Sequence, residues 1–223
     1  MHLFRKTIPA TVDIPLFSCS IVKALQLVAA TWAAVLIMLP ASIALAADDA
    51  PQELVENAVN IVLQELHKHQ DEIKDNPGIL DATIDKNIVP HLDFVTMTRL
   101  SVGKNWKKAN DEEQKALVGE FTTFLLNTYR SAMSEYGGEE VKFSPYKKSS
   151  RDDRAVVKSV FGTGSKAVPV QYKLRNKDSA WQVYDIVVSD LSLVVQYRSS
   201  FTSEIERNGV SGLIKLLKDK NNS

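Results

Sequence analysis

The hydrophobic period of the chain changes at Gly137 and Gly138, and that change decides its fold class. Ahead of it, Val118, Phe121, Leu125, Tyr129 and Met133 recur every three or four residues, and Leu117, Phe124, Thr128 and Ala132 widen the stripe. Asn110 is the expected cap, and Asp111, Glu112 and Glu113 put negative charge where a helix dipole favours it. A face this broad is expected to lie against something large, such as a sheet. After the glycines the period is two. "EEVKFSPY", "RAVVKSVFGT", "KAVPVQYKLR" and "AWQVYDIVV" are strand candidates separated by "KKSSRDD", "GTGS" and "NKDS". In the third, Val168, Val170, Tyr172 and Leu174 alternate with Pro169, Gln171, Lys173 and Arg175. Loops this short join neighbouring strands into an antiparallel meander with one apolar face and one wet face.

Helices flank the strands. Leu54, Ala58, Ile61, Val62 and Leu66 keep helical spacing after Pro51, a short helix ends at Pro90, and "DFVTMTRLSVG" runs from a cap at Asp93 to a stop at Gly103. Beyond Asp190, expected to cap the next helix, Leu191, Val194, Arg198, Phe201 and Ile205 share a stripe until Gly209. The architecture is α+β: N-terminal helices, a four-stranded antiparallel sheet and C-terminal helices, with the helices expected on one face. On the fourth strand Val183, Asp185 and Val187 would share a face. Arg198 stands where an apolar residue belongs, so its guanidinium needs a partner, and Asp185 is the best candidate for a clamp between the last helix and the sheet.

The N-terminus is set apart by composition. Arg5, Lys6 and Lys23 precede an uncharged run, "LQLVAATWAAVLIMLP", that leads into the small residues "ASIALAADDA". With Ala44 and Ala46 at the minus-three and minus-one positions, residues 1–46 read as a secretory signal peptide, leaving one domain over 47–223. A retained membrane anchor is the alternative, since the run is long enough to span a bilayer, and either way the domain lies outside the cytoplasm. The single cysteine, Cys19, falls within this segment, which removes disulfides, thiol nucleophiles and thiolate metal sites from the mature chain. Residues 1–46 hold three of the 27 basic residues and one of the 27 acidic ones, so 24 face 26 in the remainder. That balance lacks the basic excess of a nucleic-acid binder.

Catalytic signatures are sparse. His67 and His69 are two apart on a helix and do not share a face, and no His-Glu-x-x-His or acidic cluster joins them to bind metal. "GTGSK" lacks the spacing and the following helix of a phosphate loop and reads as a hairpin turn. Ser-x-x-Lys occurs at Ser101 and Ser144 without its companion motifs. A binding protein is the better default.

At "FVTMTRLSVGKNWKKANDEEQKALVGEF", "LLNTYRSAMSEYGG", "WQVYDIVVSDLSLVVQYRSSF" and "NGVSGLIKLL" the chain resembles the MlaC family, also known as the toluene-tolerance or auxiliary transport family, over about Leu54 to Leu217. The most specific pieces are Leu100, Gly103 and Trp106 ahead of Gln114 and Phe121; Tyr129; Trp181 with Tyr184 and Asp185; and Ser192 with Tyr197, Arg198 and Phe201. The resemblance implies a cone like that of nuclear-transport-factor-2-like proteins, a curved sheet with helices packed on it around an apolar cavity. It also implies a monomeric, non-enzymatic periplasmic carrier of phospholipid that needs no cofactor. Such a carrier moves lipid between the outer-membrane Mla lipoprotein complex and the inner-membrane Mla ABC transporter complex and so maintains outer-membrane lipid asymmetry.

Each acyl methylene left in water costs about 0.8 kcal/mol, so two chains of about fifteen methylenes cost on the order of 24 kcal/mol when bare. A carrier has to cover nearly all of that length. The expected walls are Phe121, Leu125 and Tyr129 on the helix and Val168, Val170, Tyr172 and Leu174 on the sheet, with Trp181 and Val183; plain core is the alternative for each. Arg198 then either clamps to Asp185 or meets lipid phosphate at the pocket mouth. Head-group selectivity is expected to be weak, because no Arg and Lys cluster stands beside these walls. Two competing functions remain: an isomerase or hydratase on the same fold with Asp185 as acid or base, and a chaperone or adaptor using an exposed apolar groove.

Overall fold

A computed structural model describes residues 50–73, 76, 78–134 and 140–222, the side chains of 130–134 excepted. The expected signal peptide and the Gly137 and Gly138 turn lie outside the described residues. The elements in order are α1 (Ala50–Lys68), α2 (Gly78–Asn87), α3 (Phe94–Val102), α4 (Asp111–Ser134), β1 (Val141–Phe143), β2 (Arg154–Phe161), β3 (Val168–Lys177), β4 (Ala180–Val188), β5 (Leu191–Ser192) and α5 (Leu193–Asn221). Single 3-10 segments, Val89–His91 and Gly103–Lys108, sit on either side of α3.

Local chemistry explains most boundaries. The Asp93 carboxylate accepts from the Thr96 N–H at 3.0 Å and from its hydroxyl at 2.8 Å, starting α3. Asn110 and Glu113 satisfy each other's backbone N–H at 2.9 and 3.0 Å, a reciprocal box that starts α4. The cap of α5 is Ser192, whose Oγ accepts from the Val195 N–H at 3.3 Å, and not the expected Asp190. Ser189 and Asp190 instead form the tight β4–β5 turn, with φ of 47° and 65°. Gly209, at φ 72°, breaks α5 where a stop was expected.

The sheet runs β1-β2-β3-β4-β5 and is antiparallel throughout. The four expected strands are joined by a fifth, the two residues of β5 that pair with Val187 and Val188. On the same edge of β4, Leu92 bridges Val183 and the Asp93 N–H donates to the Val183 carbonyl at 2.8 Å, so the chain entering α3 prolongs that edge.

A bulge in β4 alters which residues share a face. Leu174 lies opposite Val183 while Lys173 lies opposite Asp185, which leaves Tyr184 as the extra residue. Val183 therefore joins Leu174, Tyr172 and Val170 on one face, and Asp185 and Val187 point to the other. The expectation that Val183, Asp185 and Val187 share a face fails for this reason.

Helices cover both faces rather than one. Val55 of α1 packs with Ala155, Val157, Val170, Tyr172, Leu174 and Val183 on the first. On the second, Arg175 meets Asp93 at the start of α3, and the Val194 N–H of α5 donates to Asp185 at 3.3 Å. The broad stripe of α4 faces α5 instead of the sheet: Phe121 stacks edge-on against Tyr197 and Phe201, with ring centroids 5.1 and 5.0 Å apart. Aromatic rings on two long helices satisfy that stripe without a sheet.

Candidate functional site

Among the described residues, three apolar clusters result. One is the seam of α3, α4 and α5, built on Met97, Leu117, Phe121, Leu125, Phe201 and Leu213. A second is the sheet face under α1. The third holds α1 to α2 through Val62, Leu66, Ile73, Leu80 and Ile84, with Leu126 of α4 packed against it. A core divided in this way leaves the sheet face as its own surface, met by helix at Val55 and flanked by Leu54, Val59 and Leu92.

Of the expected wall residues, Val170, Tyr172, Leu174 and Val183 are buried together on this face, and Trp181 is half-buried at its end. Val168 shares the face by register but is 37% exposed at the start of β3. The Ser159 hydroxyl lies 3.4 Å from that of Tyr172, and burial raises the Tyr172 pKa against the opposing pull of this contact. Phe121, Leu125 and Tyr129 lie elsewhere, in the helical seam. Tyr129 bonds to Tyr197, and its pKa is raised by burial first and by Tyr197 second. The structure thus separates the helical set from the sheet set.

Asp185 and Arg198 do not pair. Asp185, only 2% exposed, accepts from Lys173 Nζ at 2.9 Å, from Ser192 Oγ at 2.8 and 3.0 Å and from the Val194 N–H. Arg198 is exposed and donates from Nε to the Leu100 carbonyl at 2.8 Å, its stem passing over Gly103. It ties α5 to the last turn of α3, where a cation suits the carbonyl end of a helix. Water already solvates the guanidinium, so no carboxylate is required. Two clamps replace the expected single one, and the bulge is the reason: it carries Asp185 to the face where Lys173 and Ser192 wait.

Among the described residues, cavities open at the surface beside α1 and at one end of the sheet. A groove of about 360 Å³ runs between α1 and the end of α2, lined by Leu54, Ala58 and Ile61 with Glu53, Lys86 and His91 at its rim. A smaller cavity of about 190 Å³ lies where the β1–β2 connection meets the β3–β4 hairpin, lined by Tyr146, Lys148, Arg151 and Asp152, by Arg154, and by Asn176 and Trp181. Sequence reasoning treated "KKSSRDD" as a strand separator. Its mixed charges hid two cations, Lys148 and Arg151, that the fold gathers beside Trp181 together with Arg154 of β2. Among the described residues, no group of three or more His, Cys, Asp or Glu side chains is placed to hold a metal. No helix among them is long and apolar enough to cross a membrane.

These features define an α+β fold of binding type, with an antiparallel sheet between helices and one apolar face of its own. The sequence model of the MlaC protein family matches residues 56–219. The chain belongs to that family. It is 24% identical over 164 residues to the toluene tolerance protein ttg2D of Pseudomonas putida, covering 73% of this chain and 76% of the relative. It is 19% identical over 172 residues to the intermembrane phospholipid transport system binding protein MlaC of Haemophilus influenzae, covering 75% and 80%. In fold it is similar to a phospholipid-binding protein from Ralstonia solanacearum solved in complex with a phospholipid. The TM-score is 0.69 at 30% identity, over 77% of this chain and 96% of that one.

Proposed function

We propose that this chain is a monomeric periplasmic phospholipid carrier whose acyl chains lie on the sheet face formed by Val157, Val170, Tyr172, Leu174 and Val183, beneath α1. The observation that carries the proposal is the division of the core. α1 and α2 hold together through their own small cluster, so they can part from the sheet without dismantling the seam of α3, α4 and α5. The groove of about 360 Å³ beside Leu54 falls short of two acyl chains, which need space near or beyond the upper end of the ~300 to 1,000 Å³ range of ligand sites. Loading therefore widens the space between the helices and the sheet. Phe121, Leu125 and Tyr129 stay in the seam and touch lipid at most along its inner edge.

The lipid-bound Ralstonia neighbour and the transport-system name of the Haemophilus relative support carriage over catalysis. So does Asp185, which points away from the proposed chain site and has a basic partner, the opposite of what an acid or base in a greasy cavity needs. In this proposal the carrier receives and delivers lipid between an outer-membrane lipoprotein complex and an inner-membrane ABC transporter complex. Native mass spectrometry of the purified protein tests it. One phospholipid per monomer is expected, and a lipid-free mass under gentle conditions would overturn it.

A further inference from the structure

We infer that the cavity of about 190 Å³ beside Trp181 is an anion subsite that takes the phosphate of the bound phospholipid, an inference that rests on the carrier proposal. Its position is the first ground. Tyr146 and Trp181 line the cavity and also pack at the rim of the apolar sheet cluster, so the cavity begins where the apolar face ends. An amphiphile with its chains over Leu174 and Val183 has its polar end there. Tryptophan, with an apolar body and one N–H, suits such a boundary.

Charge is the second ground. Lys148, Arg151 and Arg154 reach the cavity together with one acid, Asp152. Asp152 is 94% exposed and lies 4.0 Å from Lys148, an arrangement that water screens strongly. Arg154 is held by Asp153 at 3.3 Å and by the Tyr184 ring, 5.1 Å from its guanidinium carbon. Arg151 is different: among the described residues nothing claims its guanidinium, whose planar fork of donors matches two phosphate oxygens. The volume suits a phosphate and its nearest substituents, and a hydrocarbon chain would find too little apolar wall. Every glycerophospholipid carries that phosphate, so the site accepts them all. Lys148 and Arg151 repel the ammonium of an ethanolamine head group and leave a glycerol head group unopposed. This subsite would give a preference for lipids of net negative charge, where the sequence alone led to an expectation of weak selectivity.

The test reloads delipidated protein from detergent micelles holding equal phosphatidylglycerol and phosphatidylethanolamine, with native mass spectrometry reading the amount and kind of lipid. Wild type is compared with the double variants Lys148→Glu, Arg151→Glu and Lys148→Gln, Arg151→Gln; both positions are exposed loop sites, and circular dichroism checks folding. The expected result is one lipid per protein in each case, with the glycerol-to-ethanolamine ratio falling about tenfold in the Glu variant and less in the Gln variant. Unchanged ratios with full loading overturn the subsite and leave the carrier standing. No loading of wild type overturns the carrier proposal and the subsite with it. Inorganic phosphate titrated into lipid-loaded protein separates the sources. Saturable binding that the variants abolish would show a site left free by the lipid, and would overturn the head-group assignment.

Discussion

Removing either partner of the Asp185–Lys173 pair breaks the same contact, yet the two losses differ in cost. Asp185 is 2% exposed and stays buried whatever its partner does, whereas the Lys173 side chain is 34% exposed and can turn into water. Lys173→Met strands a buried carboxylate with only the Ser192 hydroxyl and the Val194 N–H for company, at a cost of about 3–4 kcal/mol. Asp185→Asn keeps the volume and an acceptor for Ser192 or Val194 and frees a lysine that solvates itself, at about 1–2 kcal/mol. The gap of about 2 kcal/mol corresponds to roughly 4–8 °C in Tm for a domain of this size. Urea titration followed by circular dichroism reads the order directly. Asp185→Asn costing as much as Lys173→Met, or more, would refute the reasoning. The same variant separates structure from chemistry, because a clamp predicts unchanged lipid per folded protein, and loss of lipid at unchanged stability would return Asp185 to the cavity.

Phe121, fully buried against Tyr197 and Phe201, belongs to the seam, so Phe121→Ala is expected to cost about 3–5 kcal/mol while leaving lipid stoichiometry of the folded fraction intact; mass spectrometry of that fraction checks it. Gly103 has φ of 63°, and Gly103→Ala is expected to cost about 1–2 kcal/mol in thermal unfolding, since its new Cβ would meet only ordinary contacts with Arg198 and the strain is in the backbone. Tyr129 and Tyr172 both have raised pKa values in the folded state, by burial first. The unfolded chain releases these protons near pH 10 while the folded chain holds them, so their contribution is complete below about pH 10 and is lost as pH climbs further. Tyr129→Phe and Tyr172→Phe are each expected to flatten the fall of Tm measured above that pH.

The sequence made legible whatever depends on near neighbours. The Asn110 cap, the Asp93 cap, the stop at Gly103 and the alternation of β3 all follow from residues a few places apart, and each stands where expected. Long-range choices were hidden. Periodicity gave α4 a broad apolar stripe but could not say whether sheet or helix would meet it, and the aromatic partners Tyr197 and Phe201 lie more than seventy residues away. A single extra residue, Tyr184, reversed the face of Asp185, and nothing in "QVYDIVV" marks it, because a bulge is set by the partner strand. Of the proposed site, the residues that share the sheet face were readable from the period of two, as far as Val170, Tyr172 and Leu174. The cationic cavity was not, because Lys148 and Arg151 meet Trp181 only after the hairpin folds back.

The central claim is where the acyl chains lie, and a phospholipid carrying a photoactivatable diazirine on its chain tests it most directly. After loading, illumination and proteolysis, the account expects label on β3 and β4, at Val170 to Leu174 and at Val183, and on the facing residues of α1 around Val55. Label confined to the seam of Phe121 and Phe201, or spread over the surface with none on the sheet face, would contradict it.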